Sequence, residues 1–268
     1  MLRLPAVAGR FYPDNPQELI TQILEYTKQQ PNGTPRHAQA CLVPHAGYRF
    51  SGHVAGAVLS RIAIPKKIVV LGVRHRPRGE PASIISRGAW RTPLGDAPID
   101  EALATALKTE CSVLREDPVA HSAEHSLEVQ LPFLQVQSPG FAFVPIALGT
   151  VRFDDLIFAG EALARVLAAN PNVLLLTTSD LNHYEDDATT RLKDQKAIDQ
   201  ILALNPRGLY DVCRNAAISM CGLGPTVAML TALRTLGTPH AELVRYATSA
   251  DVSGDTSSAV GYAGFIFS

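Results

Sequence analysis

The chain has 268 residues, 46% of them hydrophobic and 18% charged, the balance of an ordinary globular protein. A net charge of −1 with both signs interspersed excludes the basic footprint of a nucleic-acid binder and of a membrane-surface protein. Four cysteines without a CxxC pair point to a reducing, cytoplasmic setting, and no stretch approaches the ~18 consecutive apolar residues of a membrane span. The opening MLRLPAVAGRFYPDN lacks the apolar core of a secretory leader. Asn15 and Pro16 read as the cap and first position of a helix whose apolar face carries Leu19, Ile20, Ile23 and Leu24. A Pro-Asn-Gly-Thr-Pro linker at 31–35 ends it. Ala40–Val43 is a short apolar run of the kind buried in a parallel sheet, stopped by Pro44 and followed at once by His45. A helix of small apolar residues is expected from about Gly52 to Arg61, then a second buried strand, Ile68–Gly72, which runs into Val73-Arg74-His75.

Ser83–Arg91 and the turn at Thr92–Asp96 read as an antiparallel excursion, and 100–109 as a helix on Leu103 and Leu107. Phe141–Leu148 is a third strand, 153–170 an amphipathic helix and Val173–Thr178 a fourth strand, which ends in Ser179-Asp180-Leu181-Asn182-His183. Helices are expected at about 189–204 and 206–215. A further one opens after Cys221-Gly222-Leu223-Gly224, with Pro225 at its first position and Gly237 past its end. Two strands, Glu242–Thr248 and Ser258–Phe267, close the chain. No repeat or linker splits it, so residues 1–268 read as a single α/β domain with a central, mostly parallel or mixed sheet flanked by helices.

Three histidines, His45, His75 and His183, each follow a buried strand, and in open α/β sheets ligands bind outside the carboxyl ends of the strands. His45 and His75 are about one βαβ unit apart, which predicts imidazoles on neighbouring strand ends. Cys221 stands just before a helix N-terminus, where the dipole favours thiolate; the alternative is a small buried hydrophobe. Two imidazoles and a thiolate suit Fe(II), Cu or Zn, and ligands this scattered in sequence resemble catalytic rather than structural sites. Asp180 and His183 would then stand around the open coordination position, either as an acid–base pair or as partners that orient the ligands.

His121-Ser-Ala-Glu-His125 formally matches the H-x-x-E-H zinc-protease motif. With Ser122 as N-cap, His121 would fall outside the helix, so the protease geometry fails; His125 and Glu128 would point inward from a short helix ended by Pro132. No GxGxxG, GxxxxGK[ST] or GxSxG element is present. Lys66-Lys67 and Glu185-Asp186-Asp187 read as solvated, and Arg74 and Arg76 as either cavity residues or contacts between subunits.

In order, PAVAGRFYP, VPHAGYRFSG, VVLGVRH, HSAEHSLEVQLPFL, TTSDLNHYE and MCGLGPTVAML resemble the Memo family, whose prokaryotic members are known as AmmeMemoRadiSam system protein B. The resemblance covers essentially the whole chain and implies an α/β sandwich similar to class III, LigB-type extradiol dioxygenases. It places metal-site histidines on His45 and His75, the cysteine on Cys221, and conserved-motif residues on Asp180, His183 and His125. It implies iron or copper as cofactor, a redox role and dioxygenase-like chemistry on an enolic or catecholate-like small molecule, with His183 as base and His125 donating to bound oxygen species. Binding of a phosphotyrosine peptide, linked to the animal member, is a further implication. The other class of function is a non-catalytic metal- or peptide-binding protein using the same cleft; a homo-oligomer is compatible with either. This chain departs from relatives in carrying Val-Arg before His75 and Arg76 after it.

Overall fold

The structure is a computed structural model that describes residues 1–28, 34–149 and 152–268. Residues 31–33 of the expected linker lie outside these. The chain opens with β1 (Leu2–Arg3) and α1 (Pro16–Lys28), and Asn15 caps α1 as expected, its Oδ1 accepting from the Gln17 and Glu18 amides. There follow β2 (Ala40–Val43), α2 (Tyr48–Leu59), β3 (Lys67–Val73), β4 (Ala82–Ile84), β5 (Ala89–Thr92), β6 (Gly95–Pro98), α3 (Glu101–Glu110), β7 (Arg115–Glu116) and α4 (Pro118–His121). A 3-10 turn at Glu128–Gln130 leads into α5 (Leu131–Gln137), then β8 (Ala142–Leu148), α6 (Phe153–Ala168), β9 (Val173–Thr178) and β10 (His183–Glu185). The chain closes with α7 (Asp187–Leu202), α8 (Pro206–Asn215), α9 (Leu223–Leu236), β11 (Ala241–Thr248), α10 (Ala250–Ser253) and β12 (Ala259–Phe267).

Among the described residues the main sheet has nine strands in the order β10-β12-β2-β9-β3-β8-β4-β7, with β11 paired to β12. β2, β9, β3 and β8 run parallel at its centre, while β12 and β4 join antiparallel. The excursion after β3 divides. β4 adds to the main sheet, whereas β5 and β6 form a hairpin that joins β1 in a separate three-stranded sheet. The four central strands form because their apolar runs are covered on both faces: all but the first residues of β3 and β8 are buried. Each Val, Leu or Ile so placed contributes about 1.5–3 kcal/mol relative to exposure. From β2 to β3 the chain moves one way across the sheet and from β8 to β9 the other way, so right-handed crossovers put α2 and α6 on opposite faces. α9 packs beside α6 over β9 and β3, and α1 packs on α2.

The expected mostly parallel or mixed sheet between helices is thus what the chain forms, with two corrections. β9 lies between β2 and β3, so the strands before His45 and His75 are not neighbours; both still end at the same edge of the sheet. The helix expected from Ser122 to Pro132 does not form. Asp117 caps α4 through the Val119 amide, Ser122 closes that helix, and Pro132 stands in the first turn of α5 rather than ending a helix. Pro tolerates that place because a first-turn N–H has no partner to lose. All four cysteines are unpaired, and among the described residues no helix is long and apolar enough to cross a membrane.

Candidate metal centre and cavity

Because β2, β9 and β3 are parallel, the turns after Val43, Thr178 and Val73 emerge side by side, and β12, antiparallel to β2, brings its first residues to the same edge. There a cavity of about 640 Å³ is lined by His45, His75, His125, Asp180, His183 and Cys221, the six residues singled out in the sequence. Phe11, Tyr184, Ser219, Val260 and Tyr262 complete much of its wall. Its size is that of a small-molecule site.

His45 is buried. Its backbone N–H donates to Asp180 Oδ1 at 2.8 Å, its Nδ1 is 2.9 Å from Thr178 Oγ1, and its Nε2 is 3.1 Å from Cys221 Sγ. Burial and the neighbouring imidazoles push its pKa well down, so the ring is neutral at pH 7. His75 is held from behind by Glu124. The carboxylate accepts the His75 backbone N–H at 2.8 Å on Oε2 and pairs with Nδ1 at 2.9 Å on Oε1, which leaves Nε2 as the nitrogen with the lone pair. Burial alone would raise the Glu124 carboxyl, but the hydrogen bonds from His75 and the Ser126 amide hold it down at about 2. The turn carrying Glu124 and His125 lies tight against β3 because residue 72 is glycine; a Cβ there would sit 2.7 Å from Ser126 Oγ and 2.8 Å from Leu127 Cγ.

His125 stacks on His75 with ring centroids 4.5 Å apart and meets the Phe11 ring, tilted, at 4.7 Å. Burial takes its pKa down to about 4 although Glu124 pulls the other way. His183 donates Nδ1–H to the Ser219 carbonyl at 3.0 Å while its backbone N–H donates to Ser219 Oγ at 2.8 Å. Its Nε2 therefore carries the lone pair, and burial keeps the ring's pKa below the ordinary value. Burial raises the Asp180 carboxyl to about 7, against the hydrogen bond it accepts from His45.

Cys221 reaches the cluster because its loop packs onto the end of β9, where a Cβ on Gly222 would stand 2.4 Å from Ser179 Cβ. The protein groups around the sulfur favour the thiol over the thiolate expected from the sequence, and a cation would reverse that. Burial and, second, the Asp180 carboxylate push the thiol well up, against the Asp180 backbone N–H that donates to Sγ at 3.2 Å. One ligand atom from each of His45, His75 and Cys221 lies within 4.8 Å of the others, and two further groups share members with it: His75–Glu124–His125 and Asp180–His183–Cys221. Two imidazole nitrogens and a sulfur at this spacing fit a divalent or soft monovalent transition-metal ion, which would replace the thiol proton.

Glu128 and Arg74, which the sequence allowed near this site, lie elsewhere, as does His121. Glu128 points away from the cavity. Its carboxylate is fully buried, pairs with Arg3 at 2.6 Å and accepts from the Ala6 and Val7 amides and the Tyr12 hydroxyl. His121 packs on Trp90 and bonds Ser83, so the H-x-x-E-H residues do not form a protease site, as the sequence indicated. Arg74 turns to the Gly79 carbonyl. Glu124, Thr178 and Ser219, which orient the histidines, escaped the sequence reading. The one signal for Glu124 is its place directly before His125.

The sequence model described as "Memo-like protein" matches residues 3–266. The MEMO1 family protein MK0963 of Methanopyrus kandleri is 40% identical, covering 100% of this chain and 99% of the relative. MJ0403 of Methanocaldococcus jannaschii is 39% identical (99% and 98%), and a MEMO1 family protein of Thermotoga neapolitana 38% (100% of both). Among solved structures, uncharacterized protein JW3007 from Escherichia coli K12 aligns with a TM-score of 0.55 over 85% of this chain and 99% of that one, at 13% identity, a likeness of fold alone. The matches span nearly the whole chain at both ends, and the chain belongs to the Memo family.

Proposed function

We propose that the cavity holds a redox-active metal ion, Fe(II) or Cu, on His45, His75 and Cys221, and that the protein uses it in oxidative, dioxygenase-like chemistry on a small molecule. The observation that carries this reading is the meeting of the three donor atoms within 4.8 Å at the wall of a cavity large enough for a ligand. A bound ion would supply Lewis-acidic, redox-active chemistry at this wall of the cavity. The chain supplies the rest. Glu124 fixes the His75 ring, as carboxylates behind metal-bound histidines do. His183 presents Nε2 as the atom that takes a proton from a ligand hydroxyl, because its Nδ1–H is committed to Ser219. Asp180, its carboxyl raised to about 7, holds or releases a proton near neutral pH. His125 stands over His75 as a hydrogen-bonding partner for a ligand oxygen.

The alternative is a protein that binds a metal or a peptide end in the same cleft without turnover. The thiol favours it, since extradiol enzymes carry a carboxylate where this chain has Cys221. Among the described residues the cavity lining includes no lysine or arginine, while Arg76 lies near enough to His125 to lower its pKa. Oxygen uptake by anaerobically Fe(II)-loaded protein across a panel of catechols separates the readings. Uptake with one of them, lost in His183→Ala while the metal stays bound, is expected. No uptake with any leaves binding only.

A further inference from the structure

Among the described residues the most exposed large hydrophobic side chain is neither at a terminus nor on an outer helix: it is Tyr184, 77% exposed, on the wall of the cavity. Its backbone is left-handed, φ +64°, a conformation that favours glycine over every side chain with a Cβ. A bulge between His183 and Glu185, where β10 pairs with β12, accompanies it. Its hydroxyl meets no protein partner among the described residues, and the one ring it touches is that of His183, 5.5 Å away between centroids. A tyrosine kept in a strained conformation, next to the proposed base, with its faces in water, has no packing reason to be there. Such features collect where a ligand completes them. Phe11, Val260 and Tyr262 add apolar and aromatic surface to the same cavity.

We infer that Tyr184 is the ring-stacking, specificity-determining residue of this cavity, and that its ligand is a planar, oxygen-bearing ring compound laid against the tyrosine face with a hydroxyl toward His183. This rests on the cavity being the site proposed above. A flat ring gains from an aromatic face what a saturated ring of the same size does not, so selection is for planarity rather than charge. The phenol hydroxyl is secondary to the ring, which predicts that phenylalanine serves in its place.

The test uses zinc-loaded protein under anaerobic conditions and two probes, 4-nitrocatechol and cis-cyclohexane-1,2-diol, titrated calorimetrically into wild type, Tyr184→Phe, Tyr184→Asn and Tyr184→Gly. Asparagine and glycine both accept the left-handed backbone, so these variants remove the ring without adding strain. Wild type and Tyr184→Phe should bind the nitrocatechol within about twofold of each other. Because nitrocatechol is the stronger acid and zinc ligand in every variant, the ring's part is read as the change in its preference over the saturated diol when Tyr184 is replaced. Tyr184→Gly and Tyr184→Asn should lose about tenfold for the nitrocatechol, with an unchanged or raised melting temperature. Equal nitrocatechol binding in Tyr184→Gly and wild type overturns the proposal, and so does a fall in melting temperature that accounts for lost binding. Zinc occupancy of the same samples separates the two ideas: retained zinc with no ring selectivity removes the role of Tyr184 and leaves the metal centre standing, whereas absent zinc in wild type counts against the centre itself.

Discussion

Replacing Glu124 by glutamine tests whether His75 is built as a ligand or merely sits near one. The carboxylate receives three donors, the His75 ring at 2.9 Å, the His75 backbone at 2.8 Å and the Ser126 backbone at 2.8 Å, and Glu124 is only 2% exposed. An amide keeps the shape but offers one accepting oxygen. With that oxygen facing the ring and Ser126, the amide nitrogen faces the His75 N–H, donor against donor. A buried N–H left without a partner costs about 1–3 kcal/mol. The bond to the ring also loses its charge assistance, which halves a hydrogen bond of this kind. Loss of such an outer partner typically weakens metal binding by about 10–100-fold. Glu124→Gln should therefore bind Zn2+ about 10–100-fold more weakly than wild type in competition with a chromophoric chelator at pH 7.5. Its metal-free form should also melt lower. The stability difference carries a sign with pH: the carboxyl is held at about 2 against an ordinary 4.5, so its contribution is complete above pH 4.5 and fades as pH falls toward 2. Zinc affinity within twofold of wild type would refute the claim that this carboxylate organises the ligand.

Two further outcomes follow from groups away from the cavity. Glu128→Gln leaves the Arg3 guanidinium buried without its partner, and breaking a buried pair this way costs about 3–5 kcal/mol, readable in a urea unfolding curve; a loss under 1 kcal/mol would contradict the role given to this pair. His121 is buried and neutral, its pKa taken down to about 4 by burial and by Arg3, so the unfolded chain takes up its proton first and stability falls as pH drops from 6.5 to 4. His121→Gln should flatten that fall by up to about 3 kcal/mol, and an unchanged pH profile would show that the imidazole does not titrate against the fold.

The central strands were legible because a strand buried on both faces is a continuous apolar run, as in Ala40–Val43 and Val173–Thr178. Where such a run stops at a proline or a polar turn, the residue that follows stands at the carboxyl edge, and that sufficed to gather His45, His75 and His183. The order of the strands was not legible. Nothing local in Val173–Thr178 states that it inserts between β2 and β3, since parallel partners are chosen by packing across the whole sheet. The 117–137 stretch misled because it holds two good caps, Asp117 and Ser122, and two prolines, Pro118 and Pro132, each able to start a helix. What decided between them is far away in sequence: Arg3 donates to the carbonyls of His121 and Glu124 and to the Glu128 carboxylate, which pins the turn open. The protonation of Cys221 was not legible either: a helix N-terminus favours the thiolate of a sulfur that stays near water, whereas here burial first and the Asp180 carboxylate second push the thiol up.

The most direct test of the whole account is element-specific metal analysis of anaerobically purified protein beside its Cys221→Ser variant. Wild type should carry close to one equivalent of iron or copper and the variant should lose most of it, while both melt within a few degrees of each other in metal-free form. Equal metal content in the two proteins, or none in wild type after anaerobic purification, would contradict a centre built on His45, His75 and Cys221.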